Sequence, residues 1–130
     1  EQQAARQALE ILNKRIKKEE NRLKKFFKSK GIDINENSAV QSLISRASFM
    51  KVSLEDLEQD LKENGWTEMF QQGEKQAPYE RQRPTATTYT SLNTNYQKII
   101  KQLTDLLPKS KPVENQTDTF EEFVYSRDEV

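Results

Sequence analysis

The amino-acid sequence predicts an all-α protein that assembles from several copies. Three segments carry apolar residues at helical spacing, and few apolar residues lie outside them. Hydrophobic residues make up only 33% of the 130 residues, and charged residues make up 32%. One copy would therefore have a thin core. We expect long amphipathic helices with a loop or hairpin between the second and the third, whose apolar faces are completed by other copies of the chain in an oligomer.

The first predicted unit, residues 1–31, is a basic helix with a heptad pattern. Apolar side chains recur at alternating intervals of four and three residues from Ala5 to Phe26, and only Glu19 interrupts this seam. Gly31 is expected to end the helix. The heptad register places six lysines on the face opposite the seam. These six, called the lysine surface below, are Lys14, Lys17, Lys18, Lys24, Lys25 and Lys28.

The second predicted unit, residues 32–109, is a helical oligomerisation core. Its second helix is expected to begin at a capping box, because Ser38 is followed by Gln41 in the Ser-x-x-Gln pattern. Apolar residues then continue at helical spacing to a stop signal at Gly65. We favour one long helix with a bend near Val52, and a helix restart at the next residue is the alternative.

The composition changes between residues 66 and 83, where aromatic residues are scattered among Gln, Gly and Pro without a helical period. This pattern is typical of a loose hairpin or an ordered loop. Pro84 suits the first turn of a third helix, and Pro108 is expected to end that helix. The remaining residues, 110–130, read as an acidic flexible tail.

The net charge of zero hides a polarised chain. Residues 1–30 contain ten Lys or Arg against four Asp or Glu, whereas residues 113–130 contain one against six. A basic head and an acidic tail indicate different partners at the two ends, and nucleic acid is the candidate for the head.

Composition also narrows the possible chemistry. The chain contains no cysteine and no histidine, which removes the common zinc sites, thiol nucleophiles and histidine-based triads. Its three glycines form no phosphate-binding loop. Asp56 and Asp60 have the spacing to hold one Mg²⁺, but a solvated helix face is the favoured interpretation. We expect a non-enzymatic protein without a metal or cofactor, and no apolar run is long enough to span a membrane.

DNA is a candidate partner for the lysine surface together with Arg22, through sequence-independent phosphate contacts. The alternative is that these cations only keep the helix solvated. The aromatic residues Trp66, Phe70 and Tyr79 are expected to pack a loop onto the helices, with base stacking as the less favoured alternative.

The acidic tail contains a short amphipathic segment, in which Phe120, Phe123 and Tyr125 stand among acidic residues. Such a segment is typical of a docking peptide that folds on a partner. The alternative is a chain end that only improves solubility.

Two stretches between residues 40 and 109 resemble the small subunits of tailed-phage terminases, particularly those of phages of Gram-positive hosts. The first runs from Phe49-Met-Lys-Val-Ser-Leu-Glu-Asp-Leu through Glu63-Asn-Gly-Trp-Thr-Glu-Met-Phe-Gln-Gln-Gly. The second runs from Arg83-Pro84 through Tyr89 and Asn95-Tyr96 to Lys101-Gln-Leu-Thr-Asp-Leu-Leu-Pro108. The resemblance implies a protein that recognises viral DNA in the host cytoplasm, assembles into a ring and delivers the DNA to a large subunit. That large subunit would hold the ATPase and the nuclease.

Two other functions remain open at this point. A coiled-coil adaptor or virion scaffold protein without DNA-binding activity would use the lysine surface for solvation alone. A stand-alone transcriptional regulator would need a base-reading helix, and no segment of the sequence presents one.

Overall fold

The computed structural model describes residues 1–108 as three helices and one small hairpin. The elements, in chain order, are α1 (Gln2–Ser29), α2 (Ser38–Asn64), β1 (Thr67–Phe70), β2 (Tyr79–Gln82) and α3 (Pro84–Asp105). The described residues are mostly helical, as the sequence predicted, with the addition of the two strands.

The boundary between α1 and α2 is a loop with its own hydrogen bonds. The backbone of Gly31 has a φ of 93°, in the left-handed region that favours glycine, and Ile32 N–H donates to the Phe27 carbonyl at 3.2 Å. The predicted end of the first helix at Gly31 is therefore confirmed to within two residues.

The cap of α2 differs from the prediction. Asn37, and not Ser38, is the N-cap residue, and its side-chain oxygen accepts hydrogen bonds from the backbone N–H of Ala39 and Val40. The Gln41 side chain donates to the Ile34 carbonyl, so it does not complete a capping box. The helix is continuous across Ser53 and ends at Asn64, and Gly65, whose φ is 83°, is its C-cap.

The segment between α2 and α3 is a hairpin, one of the two alternatives that the sequence left open. Its strands are antiparallel and pair Thr67 with Gln82 and Phe70 with Tyr79. Arg83 ties the hairpin base to α2, since its guanidinium donates to the Gly65 carbonyl at 2.7 Å and to both Asp60 carboxylate oxygens at 3.1 Å. Pro84 is the first residue of α3, as predicted.

The core lies where the C-terminal half of α1 meets α2 and α3. Its fully or nearly fully buried members are Leu23, Phe26, Phe27, Ile34, Val40, Ile44, Ala47, Ile100, Leu103 and Leu107. Contacts between Arg15 and Asp56, between Glu19 and Lys51, and between Tyr89 and Glu58 run along antiparallel helix pairs. In contrast, every residue from 1 to 11 is exposed, so the first three turns of α1 extend beyond the packed core.

Candidate nucleic-acid interface

The lysine surface lies on the side of α1 that faces away from the core. Five of its six side chains are exposed, and Lys24 is half-buried. Lys17 pairs weakly with Glu20 at 3.8 Å. Among residues 1–108, the other five lysines form no ion pair. Most of this positive charge is therefore directed to solvent and is open to a polyanion.

Three of these lysines line a groove at the C-terminal end of α1. The groove has a volume of about 440 Å³ and lies between the last turns of the helix and the loop that follows. We call it the basic groove, and it is lined by Lys24, Lys25, Lys28, Gly31, Ile32, Asp33, Ile34 and Asn35. Three cations face one carboxylate there, so the groove is positively charged and contains apolar surface from two isoleucines. Helical spacing did not reveal it, because five of its eight lining residues belong to the loop.

Arg22, which the sequence grouped with the lysine surface, is placed differently. Its side chain is only 7% exposed and pairs with the Glu19 carboxylate through Nε at 2.9 Å and a terminal nitrogen at 2.8 Å. The heptad register puts Arg22 beside the seam, and packing of the seam onto α2 buries it. In this arrangement Arg22 positions Glu19 and is not part of the exposed lysine surface.

Glu19 is the centre of a buried ionic cluster between α1 and α2. Besides Arg22, the Lys51 ammonium donates to the same carboxylate at 2.9 Å, and the Lys51 side chain is 11% exposed. The sequence identified Glu19 as an interruption of the seam but did not identify Lys51 as its partner. A carboxylate at a seam position requires a cation across the interface, and that requirement is the only sequence signal for Lys51.

The ionisation of Glu19 follows from this geometry. Burial raises the pKa of the Glu19 carboxyl, but the hydrogen bonds and charges of Arg22 and Lys51 lower it by more, so the net pKa lies below its ordinary value. Glu19 is therefore ionised at neutral pH and holds α1 against α2.

A smaller cleft of about 260 Å³ lies over this cluster, between α1 and α2. Its charged lining residues are Arg15, Lys18, Glu19, Arg22, Lys51 and Glu55. The Arg15 guanidinium also bonds Asp56 at 2.8 Å, and this hydrogen bond is the main reason that the pKa of Arg15 is raised. Carboxylates already pair with three of the four cations, which leaves Lys18 as the cation of this cleft that extends the lysine surface.

The aromatic residues Trp66, Phe70 and Tyr79 lie in the hairpin or directly before it. Trp66 and Tyr89 form an edge-to-face pair with ring centroids 5.8 Å apart, and Phe70 and Tyr79 form another at 5.9 Å. The Arg81 guanidinium lies 3.6 Å from the Phe70 ring centroid. The Trp66–Tyr89 contact packs the hairpin base onto α3, whereas the contacts of Phe70, Tyr79 and Arg81 lie within the hairpin. Trp66, Met69 and Tyr79 nevertheless keep about half or more of their surface exposed.

The two aspartates considered as a magnesium pair serve other contacts. Asp56 binds Arg15, whereas Asp60 binds Asn64 and Arg83, whose hydrogen bonds lower the pKa of the Asp60 carboxyl. Within residues 1–108, no group of three or more potential ligands has the arrangement of a metal site.

The docking segment with Phe120, Phe123 and Tyr125 lies outside the described residues. In the described part of the chain, no helix is long and apolar enough to cross a membrane. The sequence matches no protein-family model, and neither a curated protein nor a solved structure is significantly similar to it.

Proposed function

We propose that this chain is the small subunit of a tailed-phage terminase, which binds double-stranded viral DNA in the host cytoplasm and delivers it to the large subunit. The ATPase and nuclease activities belong to that large subunit, and this chain contributes recognition and regulation without catalysis. The proposal combines the sequence resemblance over residues 40–109 with the charge and geometry of α1.

One observation carries the DNA-binding part of the proposal. Five lysines of the lysine surface form no ion pair within residues 1–108, and they occupy one face of a helix whose opposite face is packed in its C-terminal half. Such a row of cations binds the phosphates spaced along a DNA backbone and needs no base-specific contacts. Each lysine that neutralises a phosphate is expected to add about 0.9 to the log–log slope of affinity against salt.

The test is a salt titration of DNA binding with a fourfold variant. Replacing Lys17, Lys18, Lys24 and Lys25 by Gln is expected to lower affinity for any DNA sequence and to reduce the salt slope by about 3 to 4 per engaged subunit. The matched control replaces four exposed lysines outside α1, namely Lys62, Lys75, Lys98 and Lys101. If both variants lose affinity equally, net charge and not the lysine surface explains binding.

Self-association is the second part of the proposal, and exposed apolar side chains support it. Leu9 is 56% exposed at a seam position, and Met69 on the hairpin is 66% exposed. A protein with so few apolar residues gains by covering these positions with other copies. A ring is the closed form of such heterologous contacts.

Leu9→Asp is expected to dissociate the assembly while leaving the protomer folded, because Leu9 lies outside the protomer core. Ile11→Asp is the matched control, since Ile11 is 60% exposed but lies off the seam. Native mass spectrometry at micromolar concentration measures both. A wild-type protein that is entirely monomeric would contradict the proposed ring.

The acidic tail is proposed to dock on the large subunit through Phe120, Phe123 and Tyr125. An alternative function is that of a coiled-coil adaptor or virion scaffold protein without DNA-binding activity. The exposed seam in the first turns of α1 favours this alternative, because an exposed heptad seam packs against a helix of another molecule in a coiled coil. An intact assembly that does not bind DNA at low salt would support the alternative.

A further inference from the structure

We propose that the basic groove is a docking site for residues 113–130 of the acidic tail of the same chain, which compete there with DNA. The inference rests on the proposed DNA-binding function, since it assigns a regulation to part of the lysine surface.

The basic groove combines cationic and apolar surface. Lys24, Lys25 and Lys28 supply three positive charges against the single carboxylate of Asp33, which also accepts a hydrogen bond from the backbone N–H of Glu36. No ion pair within residues 1–108 neutralises the three lysines. Ile32 is half-buried in the groove wall. A ligand for this groove needs acidic groups and an apolar side chain close together.

The tail has the matching chemistry in its sequence. It carries six acidic residues against one basic residue, and the stretch Phe120-Glu-Glu-Phe123 places two adjacent carboxylates between two aromatic residues. An acidic peptide with aromatic anchors satisfies both parts of the groove. DNA satisfies only the cationic part, because its backbone is polar.

The described chain ends in the hydrophobic core cluster that also extends to the groove. Leu107 is buried in the same core cluster as Ile34, and Ile34 also lines the groove. Residues 109–119 then separate the end of the described chain from Phe120. A chain of that length spans up to about 36 Å when extended. The tail therefore needs no rearrangement of the helices to reach the groove.

Connection within one chain favours the tail over a free competitor. A short tether holds a segment at an effective concentration on the order of millimolar. Weak contacts between exposed charges are then sufficient to occupy the groove for a substantial fraction of time, and salt weakens them together with DNA binding. Capture of the tail by the large subunit would leave the groove open to DNA.

The first experiment measures DNA affinity of full-length variants by fluorescence anisotropy at low salt. Replacing Glu121 and Glu122 by Gln is expected to tighten DNA binding on the order of fivefold, because two weak surface ion pairs with the groove are lost. The control replaces Glu74 and Glu80, two exposed hairpin residues, by Gln. Both variants gain the same net charge, so an equal increase in affinity would overturn tail docking.

The second experiment observes the tail directly and does not involve DNA. A fluorescein-labelled peptide of residues 113–130 is titrated with the full-length Glu121→Gln, Glu122→Gln variant. Adding Lys24→Gln, Lys25→Gln and Lys28→Gln is expected to abolish peptide binding. The control adds Lys62→Gln, Lys75→Gln and Lys98→Gln instead, and it is expected to retain binding. Absence of peptide binding, or equal loss in both variants, would overturn the proposal.

The two experiments separate the possible failures. If the wild-type protein does not bind DNA at low salt, the proposed function fails, while the peptide titration still decides whether the groove accepts the tail. If tail inhibition of DNA binding grows with protein concentration, the tail comes from another copy, and docking within one chain is wrong.

Discussion

The two halves of α1 carry the same heptad pattern but have different surroundings. In the C-terminal half, the seam residues Leu23 and Phe26 are buried against α2 and α3. In the N-terminal half, the seam residues Ala5 and Leu9 are exposed. The comparison shows that a heptad pattern identifies the face that is to be covered but does not identify what covers it. The same chain completes one half of the seam, and the other half remains available to another molecule.

The boundary between the two halves is marked by charge. Arg15 bonds Asp56 and Glu55 at the rim of α2, and one turn later Glu19 is buried between Arg22 and Lys51. The ion pair at the rim is solvent-exposed and contributes little to stability, whereas breaking the buried cluster leaves uncompensated charge. We therefore expect the loss of folding stability on substitution to rise steeply along α1 from Leu9 to Phe27.

The largest expected effect is at Phe27, whose side chain is fully buried. Phe27→Ala is expected to destabilise the protein by about 4 kcal/mol, because it removes a large apolar side chain and leaves a cavity. Leu9→Ala is the matched change in the exposed half and is expected to alter protomer stability by less than about 0.5 kcal/mol. Urea unfolding at low protein concentration compares the two. Similar costs would mean that the two halves of α1 are equally packed.

A smaller effect is expected at Glu19. Glu19→Ala is expected to cost about 3 kcal/mol, since it leaves Arg22 and Lys51 as buried cations without their shared carboxylate. Replacing all three residues by apolar ones (Glu19→Leu, Arg22→Leu and Lys51→Met) is expected to restore most of this stability. A triple variant that is less stable than Glu19→Ala would show that the cluster is needed for more than charge balance.

The smallest expected effect is a pH dependence of the same contact. Because the pKa of Glu19 is lower in the folded protein than in the unfolded chain, its charge stabilises the fold above the ordinary glutamate value of 4.5. This contribution is lost as the pH falls below 4.5 through the folded pKa, because the unfolded state then binds the proton more readily.

Urea midpoints of the wild type and Glu19→Gln between pH 7 and pH 3 test this prediction. The difference in stability between the two proteins is expected to shrink as the pH falls. Asp60, whose pKa is also lowered, is present in both proteins and cancels in the difference. A constant difference across this range would contradict the assignment.

Much of the fold was predictable because the signals are local. The glycines at 31 and 65 end helices where positive φ is required, and Pro84 begins α3. The cap of α2 was misplaced by one residue, since Asn37 and Ser38 are both good caps and the choice depends on which side chain reaches the free N–H groups. The hairpin was only one of two alternatives, because apolar and polar residues do not alternate in the sequences of its four-residue strands, TEMF and YERQ.

The candidate site was predictable in composition but not in shape. The heptad register was sufficient to collect the lysine surface, five of whose members are exposed. The same register grouped Arg22 with these lysines, although its side chain is buried. The register could not show this, because burial depends on the rotation of α1 about its axis relative to α2. The basic groove was missed because its second wall, from Gly31 to Asn35, depends on the path of the loop.

The sequence by itself determined the helices, the polarity of charge along the chain and the face of α1 that bears the lysines. These properties depend on residues within a few turns of one another, so spacing alone specifies them. Only the tertiary structure decided that Lys51 meets Glu19, that Arg22 is buried and that half of the seam is covered. Those outcomes depend on contacts between residues far apart in the chain, and packing of whole helices selects among the pairings that local patterns allow.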